Sequence, residues 1–179
     1  MTTKSFRLCA AVVLAAAPAW ALAQTPPIKP GLWEVKSETS ADGQKTTQPA
    51  DRLKNLPPAV RAQLEASMKQ KGIALGAGGL SRICFTKESM DPARWGNAAS
   101  CKTDYGARSN SSWKWRSVCT QPAGMTIDGE AIFRNTESYS VNTSMTMTTR
   151  GETKTSQRTV HGKWLGADCG DLKPFDPKR

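Results

Sequence analysis

Cys84, Cys101, Cys119 and Cys169, the single histidine His161, three methionines at Met125, Met145 and Met147, and a scatter of carboxylates are the residues of this chain that could do chemistry. Thiols serve as nucleophiles, as metal ligands or as halves of a disulfide. A zinc site needs close ligand pairs of the C-x-x-C kind, and the wide spacing here offers none. Pairing into disulfides is the better fit. The stretch Ser112-Trp113-Lys114-Trp115-Arg116-Ser117-Val118 alternates apolar and polar, the period of a half-buried strand. If its hairpin turn is centred on Asn110, residues equidistant from Asn110 face each other, Cys101 with Cys119 among them. Facing Cα atoms at a non-hydrogen-bonded pair lie about 4.5 Å apart, within reach of a disulfide. Cys84 is then left for Cys169.

With the thiols oxidised, His161 stands alone. No Ser-His-Asp or Cys-His set can be assembled without it, and it falls inside a strand pattern where surface or structural roles prevail. Glu34, Asp104, Asp128 and Glu130 show no spacing that selects a catalytic pair. The glycine-rich stretch from Ile73 to Leu80 lacks both phosphate-cradle spacings. No cofactor is expected, and the chain reads as a non-enzymatic protein. Met125, Met145 and Met147, with His161, offer soft donors for Cu(I), although methionine also fills sheet cores well. Trp33, Trp113, Trp115, Phe133 and Tyr139 form the other constellation. Aromatic walls with few polar groups line apolar pockets, and they also make ordinary cores.

The elements that must position these residues are mostly strands. Leu32 to Thr39 opens the fold, Ser81 to Thr86 is a short strand, and the cystine-tied hairpin leads into a meander ending at Trp164. Within it Met125, Ile127, Ala131 and Phe133 share one face, as do Tyr139, Val141, Thr143, Met145 and Met147. Asn135-Thr136-Glu137 and Arg150-Gly151-Glu152 supply the turns, and short connections require antiparallel pairing. Leu56-Pro57-Pro58 starts the one helix, Val60, Leu64 and Met68 give it an apolar stripe to pack on the sheet, and Gly72 ends it. Residues 40–55, with Asp42-Gly43 as a hairpin tip, and residues 72–80 read as flexible loops. Gly170 to Arg179 reads as a frayed tail. The expected architecture is mainly β with one helix (α+β), a curved antiparallel meander or half-open barrel of about seven strands carrying two disulfides.

Residues 1–23 have the form of a secretory signal: Lys4 and Arg7, an apolar run from Leu8 to Ala17, and Ala21-Leu22-Ala23 before Gln24. The run is short of the ~20 residues that span a bilayer. Cys9 comes too early for a lipoprotein box. Residues 24–179 then form a single exported domain, expected in the periplasm without a transmembrane segment. The net charge of +10 falls to +8 without the signal, since it holds two basic and no acidic residues. The basic residues are dispersed, so a nucleic-acid partner is not expected, whereas an attraction to anionic envelope material is.

Several motifs share an order with a known family. They are Pro30-Gly31-Leu32-Trp33-Glu34-Val35, Leu56-Pro57-Pro58 opening a Met- and Lys-ending helix, Cys84-Phe85-Thr86-Lys87-Glu88, and Cys101 to Asp104. Ser112-Trp113-Lys114-Trp115 with Cys119, Gly124-Met125, Met145-Thr146-Met147 and Gly162-Lys163-Trp164-Leu165-Gly166 before Cys169 complete the series. Together they resemble the bacterial exported family called domain of unknown function 3617, across nearly all of residues 24–179. The resemblance implies a Gram-negative envelope protein and brings no catalytic residues. The residues themselves favour a binding protein for an apolar or amphipathic, or anionic, envelope molecule. An envelope structural or stress interaction module is the alternative, ahead of a Cu(I) protein or a hydrolase.

Overall fold

The computed structural model describes residues 25–46, 53, 55–76, 80–91, 100–121 and 124–176. The expected export signal lies outside them, as do parts of the 40–55 and 72–80 loops and residues 177–179. Among the described residues the elements bounded in full are, in chain order, β1 (Gly31–Ala41), β2 (Gln44–Lys45), α1 (Pro58–Gln70), β3 (Ile73–Leu75), β4 (Leu80–Phe85), β5 (Cys101–Arg108), β6 (Ser112–Cys119), β7 (Met125–Asn135), β8 (Ser138–Thr149) and β9 (Glu152–Gly166). They make one curved antiparallel sheet that does not close, in the order β3-β4-β1-β9-β8-β7-β6-β5, with β2 added to β1. Seven of these strands are the long ones read from the sequence. The other two are a two-residue hairpin arm and β3, which occupies part of the stretch expected as a flexible loop.

Local chemistry sets the turns. Asp42-Gly43 and Arg150-Gly151 both place two successive residues at positive φ (49° and 81°, 54° and 82°). That is the backbone of the tight hairpin turn whose twist matches its strands. Between β5 and β6 the Asn110 backbone is not left-handed. Cys101, Lys102, Thr103, Asp104 and Tyr105 nevertheless face Cys119, Val118, Ser117, Arg116 and Trp115 as the symmetric hairpin requires, and a bulge between Tyr105 and Arg108 then shifts the register. The turn itself closes through the Ser109 amide donating to the Ser112 carbonyl at 2.8 Å. Cys101 and Cys119 are bonded with Cα atoms 3.9 Å apart, and Cys84 is bonded to Cys169 at 5.6 Å.

Alternation along each strand divides the sheet into two faces. One carries Trp33, Val35, Trp113, Ala131, Phe133 and Tyr139, and is hereafter the core face. Trp33 is fully buried, with Tyr139 at 5.1 Å between ring centroids and Phe85 at 6.4 Å; Trp113 meets Phe133 edge-on at 5.5 Å. The indole N–H groups of Trp33, Trp113 and Trp164 donate to the carbonyls of Lys29, Ser109 and Pro30, so burial leaves no indole donor of the three unpaired.

Two expectations fail here. The helix does not supply the cover of the core. No residue of α1 is buried, Val60 and Leu64 remain 47% and 38% exposed, and the helix meets the sheet at its edge strand β3. Its ends form as read, with Pro58 in the first turn, Lys69 in the last and Gly72 at φ 80° beyond it. The cover comes instead from Ile28, Met90 and Phe175, all outside the strands. Phe175 lies in the supposed frayed tail. The Cys84–Cys169 bridge brings that segment back to β4, where the Phe175 amide donates to the Cys84 carbonyl at 2.8 Å and its ring stands edge-on to Phe85 at 5.9 Å.

Candidate functional site

The core face extends beyond the clusters built around Trp33 and Phe133. Register continues it from Trp113, Ala131, Val141 and Val160 to a second row of Tyr105, Trp115, Gly129, Thr143 and Arg158. A third row holds Thr103, Ser117, Ile127, Met145 and Ser156, and a fourth Cys101, Cys119, Met125, Met147 and Lys154. Among these, Trp115, Ile127, Met125 and Met147 are only partly buried and Met145 is 39% exposed. Among the described residues outside the strands, Ile28, Met90 and Phe175 pack on the half built around Trp33 and Phe133. In the Trp115–Met147 half Ser117 and Cys119 are buried, while the apolar side chains of Trp115, Ile127, Met125, Met145 and Met147 keep partial exposure. Arg158 and Lys154 stand on the same face at its β9 margin, Arg158 donating from Nε to Ser37 Oγ at 2.8 Å. An apolar strip bordered by cations can hold an apolar chain with an anionic end.

The five aromatic residues singled out from sequence do share one face, but not one exposure. Trp33, Trp113 and Phe133 are buried by their neighbours, Tyr139 packs against both core clusters, and Trp115 is partly buried against the Trp113–Phe133 cluster. Burial pushes the Tyr139 phenol above its ordinary pKa. Two of these rings depend on glycine. Trp115 faces Gly129 and lies over it; Tyr139 faces Gly162 and does the same. A side chain at Gly162 would block the path by which Tyr139, on β8, reaches across β9 to Trp33 on β1. Both glycines fall inside strand patterns legible in the sequence, and a glycine inside a strand is itself a signal of close approach.

The methionines meet as their alternation required. Met125 directly faces Met147, and Met145 precedes Met147 by two residues on the same face. His161 does not join them. It faces Ser140 and Lys36 in the row beside Gly162, and the one-residue offset from Gly162 turns it to the opposite face. Among the described residues no three of His, Cys, Asp or Glu gather to hold a metal ion.

The opposite face is polar and carries a trough of about 500 Å³. One wall is the row Lys114, Glu130, Asn142 and Thr159, the other is Asp128, Ser144 and Gln157, and the row Trp115, Gly129, Thr143 and Arg158 runs between them. Its carboxylates are not a bare acid pair. Glu130 lies 3.4 Å from the Lys114 ammonium and Asp128 3.3 Å from the Arg116 guanidinium, all substantially exposed to water. Asp104 faces that same Arg116, and Glu34 stands between Arg82 and Lys163. Elsewhere on this face the Lys36 ammonium, hydrogen-bonded to Glu38, and then Lys45 hold the Glu38 carboxyl below its usual range.

Two disulfides on an ordinary β scaffold mark an oxidising, non-cytoplasmic compartment. No helix among the described residues is long and apolar enough to cross a membrane. No solved structure matches the chain. An "uncharacterized protein in lpd-3 5'region" of Pseudomonas putida is 31% identical over 113 residues, which cover 59% of this chain and 77% of that protein. The family model described as protein of unknown function DUF3617 matches residues 28–169, which includes both disulfides, the whole meander and the aromatic core. The chain belongs to that family.

Proposed function

We propose that the protein is a non-enzymatic binding protein of the periplasm, exported by residues 1–23, that holds an apolar or amphipathic envelope molecule against the Trp115–Met147 half of its core face. The observation that carries this reading is the group of apolar side chains, Trp115, Ile127, Met125, Met145 and Met147, that share the core face on β6, β7 and β8 and keep partial exposure there. Arg158 and Lys154 at the margin favour a ligand with an anionic end, and the positive net charge favours its capture. Native mass spectrometry of protein taken from a periplasmic extract tests it. A bound mass removed by organic extraction, and restored by a long-chain carboxylate with a change in tryptophan fluorescence that Trp115→Leu abolishes, is expected. A bare polypeptide mass with no such response overturns it.

A second reading, an envelope interaction module, draws on the exposed Val60 and Leu64 of α1. It predicts that Val60→Ser/Leu64→Ser abolishes capture of an envelope protein while leaving the extracted small-molecule mass unchanged.

A further inference from the structure

We propose that Met125, Met145 and Met147 form a three-thioether site for Cu(I), or for its analogue Ag(I). The three side chains leave the same face of two neighbouring strands. Met125 and Met147 are direct cross-strand partners, and Met145 is diagonal to Met125. Directly opposed Cβ atoms lie about 4.5–5.5 Å apart and diagonal ones about 7–8 Å. A methionine has three rotatable bonds beyond Cα, so three such arms can converge their sulfurs on one ion without moving the backbone. All three are accessible: Met145 is 39% exposed, and the other two are partly so.

Donor chemistry decides which ion fits. Thioethers are soft and neutral, which suits a soft monovalent cation and offers little to Zn(II) or Cu(II). The only imidazole, His161, is on the opposite face. The nearest sulfurs, those of Cys119 and Cys101, are oxidised and so unavailable as thiolates. One feature of the neighbourhood opposes binding. Lys154 faces Met147, but its ammonium lies 3.7 Å from the Glu152 carboxylate, so the local charge is partly offset.

The site overlaps the proposed ligand face, and metal uptake by ligand-free protein separates the two. Met→Leu keeps the apolar volume while deleting the donor, and such swaps usually perturb a core little. The experiment titrates the disulfide-intact protein with Cu(I) against a chromogenic Cu(I) chelator, using a non-thiol reductant, and with Ag(I) by native mass spectrometry. One ion per chain is expected, with Zn(II) and Cu(II) unbound. Met147→Leu, which removes the shared neighbour of the other two, should weaken Cu(I) by at least the roughly 10–100-fold that loss of an outer-shell partner costs at other metal sites. The triple Met→Leu variant should lose Cu(I) and Ag(I) while keeping a urea midpoint close to that of wild type, so that a lost fold is not read as a lost site. Wild type failing to compete with the chelator, or the triple variant retaining wild-type affinity, overturns the site. Loss of carboxylate binding with Cu(I) uptake intact would strike the ligand reading alone.

Discussion

Gly129 and Gly162 carry more of the core than their size suggests, because each lies beneath a ring from the facing strand. A Cβ built on Gly162 would fall 2.1 Å from Tyr139 ring carbon Cε1, and one on Gly129 would fall 2.1 Å from the Trp115 ring. Neither ring is a flexible end that can swing aside cheaply. Gly129→Ala and Gly162→Ala should each therefore destabilise by about 1–3 kcal/mol, the usual range for overpacking. Gly166→Ala, where nothing lies within 4 Å, should stay within about 0.5 kcal/mol. Urea denaturation of the three variants checks this, and a neutral Gly162→Ala would mean that Tyr139 does not rest there. Tyr139 also links stability to pH. Its phenol ionises near pH 10 in an unfolded chain, whereas burial holds the folded-state value higher. The unfolded state alone loses its proton as the pH passes about 10, so this contribution is complete below that pH and declines above it. Tyr139→Phe should show a shallower loss of stability between about pH 9 and about pH 11 than wild type, measured by urea midpoints at each pH. The side-chain faces behind these predictions were legible from period-two alternation. The glycine partners were not, because alternation names a face and not the residue across the ladder.

At the scale of elements, the two disulfides do different work. Cys101–Cys119 closes a hairpin already held by its own ladder, with a sequence separation of 18; Cys84–Cys169 spans 85 and anchors the segment that covers the core. Chain entropy alone assigns them roughly 3 and 4.5 kcal/mol. Removing the second also frees Phe175 from Phe85. Cys84→Ala/Cys169→Ala should therefore lower stability more than Cys101→Ala/Cys119→Ala, and should expose apolar surface to a reporter dye under conditions where the hairpin variant does not. Equal losses with no dye binding would show that the C-terminal segment holds its place without the bridge. The helix sets the opposite limit. Leu64→Ala removes a side chain 38% exposed and should cost well under about 1 kcal/mol, while Trp33→Ala, fully buried, should cost about 3–5 kcal/mol. The sequence made the helix, its proline start and its glycine stop readable, since those are local effects. It did not reveal what the stripe packs on. Val60, Leu64 and Met68 obey a core-facing period, yet tertiary geometry gives the core's cover to Ile28, Met90 and Phe175, which belong to no periodic segment and left no pattern to find.

Across the whole molecule, the least legible feature is also the one that makes the sheet a unit. Alternation identifies β1 and β9 as strands, but nothing local says that residues 31–41 pair with 156–166, or that β1 is inserted between β4 and β9. The β3-β4-β1 part and the β5–β9 meander meet at that one ladder. They are fastened there on three levels: by the strand hydrogen bonds from Trp33 and Trp164 to Ala41 and Ser156, by the Trp33–Tyr139 contact across Gly162, and by lead-in contacts such as the Lys29 amide to the Thr136 carbonyl at 2.9 Å. Because the most buried side chain, Trp33, sits on this joint, opening it should require losing the core itself rather than hinging two stable halves. Native-state hydrogen exchange should accordingly find the slowest amides in β1, β8 and β9, exchanging with a free energy equal to global unfolding. Amides of α1 and the edge strand β3 should exchange first through local opening. Gly162→Ala should lower the protection of β1 and β8 together, by the same increment that it takes from global stability. If β1 instead exchanged well before β7 and β8, the two parts would be separately cooperative, and a binding face on the meander would have to be stable without the strand that carries Trp33.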